Sequence, residues 1–290
     1  MKFAHNLLIC SLLALLLCFA VSCNDDDENN GHYAGNTNYS ASEEFEYSFL
    51  PPYQTTSFIL DAVSGQASIH FFPDAGLDSI VVSGERRVES DSQADADEHL
   101  GDLQVIFTKT TESLRFETEQ PDQSEGRNYI VEYYIELPES MLLTVSQVNG
   151  PVWIHDMANS ATASVVNGSL FISGSGHAIG SIVNGILHFE SFEGSVTGSS
   201  VNGGITAEVV LPESGVCDLH VTNGNIGLEI PATTSAAFTA TVVNGRIAYS
   251  NLTLGNATIS PTSVVGLLGT GDGAINLSTT NGNIAVTGHD

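Results

Sequence analysis

Over the second half of the chain, apolar and polar positions alternate with period two, and Asn-Gly pairs interrupt the alternation at near-constant intervals. SVVNGSLFI at 164–172 returns as SIVNGILHF at 181–189 and as SSVNGGITA at 199–207. The Asn positions are Asn149, Asn167, Asn184, Asn202, Asn223, Asn244 and Asn281, separated by 18, 17, 18, 21, 21 and 37 residues. TSVVGLLG at 262–269 fits inside the last interval, with Val265-Gly266 in place of Asn-Gly, and divides it into 21 and 16. That makes eight copies of one unit.

Three places after the Asn position stand Val152, Leu170, Leu187, Ile205, Ile226, Ile247, Leu268 and Ile284, all aliphatic. Two places further on, Ile154, Ile172, Phe189, Ala207, Leu228, Tyr249, Thr270 and Val286 are mostly apolar. The intervening column is mixed, so each unit predicts a strand with one face in and one face out. Asn-Gly between apolar runs is also a hairpin signal, and a hairpin meander closed into a sandwich or barrel is the competing reading. Neighbouring antiparallel strands would not repeat one phase, however. Self-similarity near 20 residues instead describes stacked coils, each burying its aliphatic pair against the next. The expected fold is all-β: a single-stranded β-solenoid (β-helix) of expected right-handed winding, with about eight 16–21-residue coils over 144–290. Stacked at roughly 4.8 Å, they would extend about 40 Å. In such a stack glycine takes the positive-φ corner, and the Asn side chains can hydrogen-bond from coil to coil.

Residues 46–143 form a looser β-rich part of the same scheme. SGQASIHF at 64–71 reads as an early, divergent corner and strand, and SIVVSG, LQVIFTK, SLRFETE and YIVEYYIELP as further strands. An acidic loop, Glu89 to Asp102, is expected between the first two of these four. The Leu-Pro pairs of ELPES (136–140) and VLPES (210–214) are expected to close strands at corners.

The start of the chain follows other rules. Lys2 and His5, the apolar run Leu7 to Ala20 and the small residues before Cys23 describe a secretory signal over 1–22. Cysteine at the cut resembles a bacterial lipoprotein signal, in which Cys23 is acylated and anchors the chain in a membrane. Asn24-Asp25-Asp26-Asp27-Glu28 follows at once, and residues 23–45 read as an acidic, disordered tether. An acidic cluster in that place resembles the surface-export signal of some Gram-negative lipoproteins. Of the four cysteines, Cys10 and Cys18 leave with the signal, so Cys217 is the one thiol left to the fold and no disulfide framework exists.

Charge removes one class of partner. The formal net charge is −27, and 25 of the 34 acidic residues lie in 1–149. Nucleic-acid binding depends on Lys and Arg neutralising phosphates, and residues 150–290 hold one strong base, Arg246.

Catalytic chemistry is thinly represented. A polysaccharide lyase would need a base to take a proton, and a glycoside hydrolase two carboxylates at a set separation. Glu190 and Glu193 flank one corner without fixing such a pair. His155, His177, His188 and His220 make no ligand spacing with Cys or with one another, and no Ser-His-Asp grouping is readable. GTGDGAINL at 269–277 faintly matches one calcium-binding nonapeptide, but a Gly-rich corner is the simpler reading. Asp95, Asp97, Glu98 and Asp102 lack the ordered spacing of a calcium loop. No catalytic residue, metal site or cofactor is expected.

One column stands out. Trp153, Phe171 and His188 occupy the same outward place in three successive units and would stack about 4.8 Å apart. Exposed aromatic rings mark recognition surfaces, so these three are the candidate ligand-binding residues. The competing expectation is that the first half of the chain, or a second copy of the protein, covers them.

With the lipoprotein start, the acidic β-rich opening, the IELP phrase and the repeated VNG-x-I/L units, the chain resembles the putative-adhesin β-strand-repeat family (head-GIN and related domains) of bacterial cell-envelope proteins over residues 55–290. The resemblance implies a β-helical fold and an adhesive role, and brings no catalytic residues. Three functions follow as expectations. The first is a non-catalytic outer-membrane lipoprotein at the cell surface, binding a glycan or a host or matrix protein. The second is a structural or envelope-stress component acting by homo-oligomerisation, and the third, less favoured, is a glycan-active enzyme.

Overall fold

The structure is a computed structural model describing residues 38–50, 56–73 and 79–290. The expected signal over 1–22 and Cys23 lie outside the described residues. The first half contains β1 (Tyr39–Phe49), β2 (Ser57–Phe72), β3 (Ile80–Ser90), a short helix α1 (Gln93–His99), β4 (Gln104–Lys109), β5 (Ser113–Glu119) and β6 (Asn128–Pro138). The second half continues with β7 (Leu142–Asn149), β8 (Val152–Met157), β9 (Ser160–Asn202), β10 (Ile205–Val210), β11 (Val216–Asn223) and β12 (Ile226–Pro231). It ends with β13 (Ala236–Asn244), β14 (Ile247–Ser250), β15 (Leu254–Ser260), β16 (Ser263–Leu268), β17 (Gly273–Asn281) and β18 (Ile284–His289). The described residues are all-β apart from α1 and a single 3-10 turn at Leu100–Asp102.

The strands pair as two parallel ladders meeting at the Asn-Gly corners. The segments preceding the corners align in the order β5, β2, β7, β9, β11, β17, β13. The segments following them align as β6, β2, β8, β9, β10, β12, β18, β14. Strands β2 and β9 run through corners and serve both ladders. From β7 onward the pairings keep Asn opposite Asn, as in Asn149↔Asn167, Asn223↔Asn202 and Asn244↔Asn281, while β2 places Ser64 opposite Asn149. Inward residues of each strand are buried in one continuous core that includes Leu60, Val145, Leu170, Leu187, Phe189, Leu219, Leu228 and Leu277.

Spatial order departs from chain order at both ends. Strand β2 lies between β5–β6 and β7–β8, and β17–β18 lies between β11–β12 and β13–β14. Three of the four outermost parallel strands are then covered antiparallel: β3 on β6 with β1 on β3, β4 on β5, and β16 on β13 with β15 on β16, while the short β14 pairs with β18 alone. An uncovered edge would present unpaired N–H and C=O groups. These antiparallel strands answer that need.

That role corrects the eighth repeat copy. Val265-Gly266 forms no corner, because β16 runs antiparallel to β13 with Ala236 opposite Leu268 and Thr241 opposite Ser263. Gly269 and Thr270 accordingly leave the repeat columns for a turn, in which Ser235 Oγ accepts from the Thr270, Gly271 and Asp272 N–H groups. Asp272 accepts in turn from Ser235 and Thr270. The Gly-rich phrase at 269–273 is therefore a self-satisfied turn.

Two further expectations change. Residues 39–45, placed with the tether, belong to β1, whose register with β3 runs from Tyr39↔Ser90 to Phe49↔Ile80. The acidic loop contains α1, capped by the Ser92 hydroxyl accepting from Asp95 N–H. Asp95 also takes a two-pronged hydrogen bond from Arg127 at 2.6 and 2.7 Å and another from Ser90. Arg127 therefore holds the Asp95 carboxyl well below the usual carboxylate range. These bonds use Asp95 structurally.

The corners explain the Val-Asn-Gly spelling. Six of the seven corner Asn donate from Nδ2 to the Asn Oδ1 of the neighbouring rung at 2.8–3.0 Å: Asn167 to Asn149, Asn184 to Asn167, Asn202 to Asn184, Asn223 to Asn202, Asn281 to Asn223 and Asn244 to Asn281; Asn149 donates to Ser64 Oγ. The Asn ladder thus repeats the rearranged order. Glycine is required for a second reason besides its φ of +141° at Gly185. A Cβ there would lie 1.6 Å from the Gly168 carbonyl oxygen.

Candidate functional site

The second ladder presents an outward face, and the +4 and +6 positions of each unit build it. The +4 column follows the pairing register as Tyr134, Ser68, Trp153, Phe171, His188, Thr206, Gly227, Ala285 and Ala248. The structure therefore brings Trp153, Phe171 and His188 together. Trp153 and Phe171 have ring centroids 5.9 Å apart with planes within 8°, and Phe171 and His188 are 4.9 Å apart within 5°. All three are partly exposed, and none is buried by the described first half.

The +6 column adds His70, Glu208 and Glu229, which the sequence reading passed over, beside His155 and Glu190, which it named without a site. His70 and His155 stack at 4.6 Å, His70 lies 5.1 Å from Tyr134, and Ser68 Oγ is 2.9 Å from His70 Nε2. Burial and the neighbouring His155 push the His70 pKa below its ordinary value. Six rings thus share one face. Further along, the same column carries Glu208 directly opposite Glu229, with Glu190 one rung before. Glu208 sits at a register shift between Ala207 and Val209, where Ser191 Oγ donates to its carboxylate at 3.0 Å. Such a bulge re-aims side chains. Among the described residues, no ion pair involves Glu190, Glu208 or Glu229.

The two columns meet at a pocket of about 310 Å³ lined by Phe171, His188, Phe189, Glu190, Thr206, Ala207, Glu208 and Glu229. It opens where the +4 residue shrinks from a ring to Thr206 and then Gly227. A larger pocket of about 550 Å³ lies between β1, β3 and β6, lined by Glu44, Glu46, Glu85 and Glu132 among others. Arg87 pairs with Glu85 and Glu132 there, and Gln66 donates to Glu132.

Other candidates fall to structural duties. Cys217 is fully buried in the core, and desolvation pushes its thiol up to about 12, so it is no nucleophile. His220 Nδ1 lies 2.6 Å from Ser278 Oγ on the neighbouring strand. Glu193 is opposite Val210 at the end of its rung, beyond the pocket that Glu190 lines. Among the described residues, no group of three His, Cys, Asp or Glu side chains is placed to hold a metal ion.

Fold and face together define an all-β repeat protein with a stacked ring column running into a carboxylate column. No family model matches the chain, and no curated protein matches it. Among solved structures, a putative cell adhesion protein from Clostridium sporogenes ATCC 15579 is similar at 11% identity and a TM-score of 0.32, over 85% of this chain and 100% of that one. A putative adhesin from Bacteroides fragilis NCTC 9343 is similar at 12% identity and a TM-score of 0.31, over 85% of this chain and 97% of that one. A third, a putative adhesin from Parabacteroides merdae ATCC 43184, has 10% identity and a TM-score of 0.26, over 87% and 97%. Likenesses this low carry no argument about this chain, whose fold and site rest on its own geometry.

Proposed function

We propose that the chain is a non-catalytic, adhesin-like binding protein built as a right-handed β-solenoid and displayed as a lipoprotein anchored at Cys23 in the outer membrane of a Gram-negative cell. The parallel pairing of unit on unit, with Asn kept opposite Asn, supports the solenoid reading. The acidic segment behind Cys23 supports the surface address. A glycan or protein ligand lies along the outward face of the second ladder, against Trp153, Phe171 and His188. One observation carries this reading: three rings on successive rungs, parallel to within 8° and partly exposed. Flat, accessible ring faces suit both sugars and partner side chains. The test is a glycan and matrix-protein array probed with the purified protein and with the double variant Trp153→Ala, Phe171→Ala, thermal unfolding being measured for both. Binding by the wild type and loss of it in an equally stable variant support the reading. Retention of binding by the variant removes the ring column from the site.

Self-association is the second reading, and a separate feature favours it. Val243, Ile259 and Val265 are 67%, 57% and 43% exposed in β13, β15 and β16, at the C-terminal covering strands. Sedimentation that shifts with protein concentration, and reverts in Val243→Ser with Ile259→Ser, would support it.

A further inference from the structure

We infer that the pocket at the end of the ring column takes a guanidinium group: the arginine side chain of a basic protein segment, stacked on His188 and held by Glu208 and Glu229. The inference rests on the ring-column reading and assigns its ligand a chemistry.

The column of parallel rings ends at His188. On the next two rungs the same outward position carries Thr206 and then Gly227, small enough to leave the last ring face open to the pocket. A flat group that continued the stack would lie over Thr206. Beside that position the +6 column changes character. It carries Ser173 and then glutamate on three successive rungs, Glu190, Glu208 and Glu229, before returning to Thr287 and Ser250.

Glutamates directly opposite on neighbouring strands repel one another, and no basic side chain among the described residues pairs with them. A cation in the pocket relieves that repulsion. The ligand is therefore cationic, and the stack requires it to be planar. Arginine meets both demands, because its guanidinium lies flat on ring faces and bonds carboxylates through two N–H groups at once. Lysine meets only the charge. A neutral glycan could stack on the rings and donate hydroxyls to the carboxylates but would bring no charge to offset their repulsion, and an acidic one would be repelled.

Trp153 is the protein's single tryptophan and belongs to the stack, so its fluorescence reports on the site. The experiment titrates the purified protein with tetra-arginine, with tetra-lysine and with a neutral β-glucan oligosaccharide. The variants are Glu208→Gln with Glu229→Gln, and Glu44→Gln with Glu46→Gln as a control for the general negative charge. The expected result is that tetra-arginine changes the fluorescence and binds about tenfold or more tightly than tetra-lysine. The Glu208/Glu229 variant is expected to bind it about tenfold or more weakly, and the Glu44/Glu46 variant to bind it like the wild type. Equal binding of the two peptides, or equal loss in the two variants, overturns the guanidinium assignment. Binding of the glucan alone, untouched by Glu208→Gln with Glu229→Gln, overturns it too and leaves the ring column standing as a glycan site. No binding by any probe, with the array also blank, overturns both.

Discussion

At the level of single residues, the Val-Asn-Gly corner is two columns side by side: amide on amide, and glycine against glycine. Asn184 donates to Asn167 and accepts from Asn202, whereas Asn244 only donates, to Asn281. A hydrogen bond of this kind contributes about 0.5–1.5 kcal/mol net. Asn184→Ala is therefore expected to lower stability in urea unfolding by roughly twice as much as Asn244→Ala; equal losses would mean that the ladder bonds add nothing. The glycine column is less forgiving. Gly185→Ala puts a methyl 1.6 Å from a carbonyl oxygen, while Gly126→Ala, at φ +86°, meets nothing within 4 Å. The first should abolish the cooperative transition, and the second should cost about 1–3 kcal/mol of backbone strain alone. Glycine also serves the core where φ is ordinary. A Cβ on Gly198 would lie 2.9–3.2 Å from Leu219, Phe189 and Leu187, so that position stays small for its large neighbours to meet. His70 carries a pH signature. Its pKa is depressed from 6.5 by burial and by His155, while Asp156 and Glu136 act in the opposite sense. The unfolded chain then binds the proton more readily, so this contribution is complete above about pH 6.5 and is lost as pH falls below it. The unfolding midpoint measured from pH 7 to pH 5 should fall less steeply in His70→Asn than in the wild type.

At the level of elements, the chain closes its own ends. Residues following β12 pass first to β13 and β14, turn through β15 and β16, and only then return as β17 and β18 between strands already described. The C-terminal strand β18 thus has parallel partners on both sides, Ile284 facing both Ile226 and Ile247. Chain termini usually fray. Here the amides of Ile284 to His289 are expected to exchange as slowly as those of β12, and exchange as fast as in Leu254 to Ser260 would contradict the interposed pairing. Placing the terminus inward leaves the edge duty at β13 to β16, which still turns Val264 and Leu268 to the core, and to β15, exposed along nearly all its length.

At the level of the whole molecule, charge and repetition set the behaviour. Thirty-four acidic residues against seven basic ones give a net charge of −27, and like charges at this density repel across a compact protein. Added monovalent salt screens them within roughly 8 Å at physiological strength. The thermal midpoint is expected to rise between low salt and 0.3 M NaCl, and a fall would mean that the eight arginine–carboxylate pairs among the described residues of the first half outweigh the repulsion. The same net charge would speed encounter with the arginine-bearing segment proposed for the pocket of Glu208 and Glu229.

Local pattern by itself determined the strands of the seven Asn-Gly units, their inward and outward faces and their corner residues, because a period of two and a glycine at positive φ are set by neighbours along the chain. Stacking of Trp153, Phe171 and His188 was legible too, since equal offsets from successive Asn-Gly pairs land in one column. The same offset counting would have exposed Glu190, Glu208 and Glu229, and, taking Ser64-Gly65 as a further corner, His70 beside His155. Only the tertiary structure decided which unit lies beside which. Units at 223, 244 and 281 offer the same Ile (Ile226, Ile247, Ile284) and the same Asn, so these positions do not distinguish pairing in chain order from pairing with the last unit inside. The choice turns on which outer edge must be covered, and covering an edge is a property of the assembled stack. For that reason Val265-Gly266 looked like a corner in the sequence and became a covering strand in the fold.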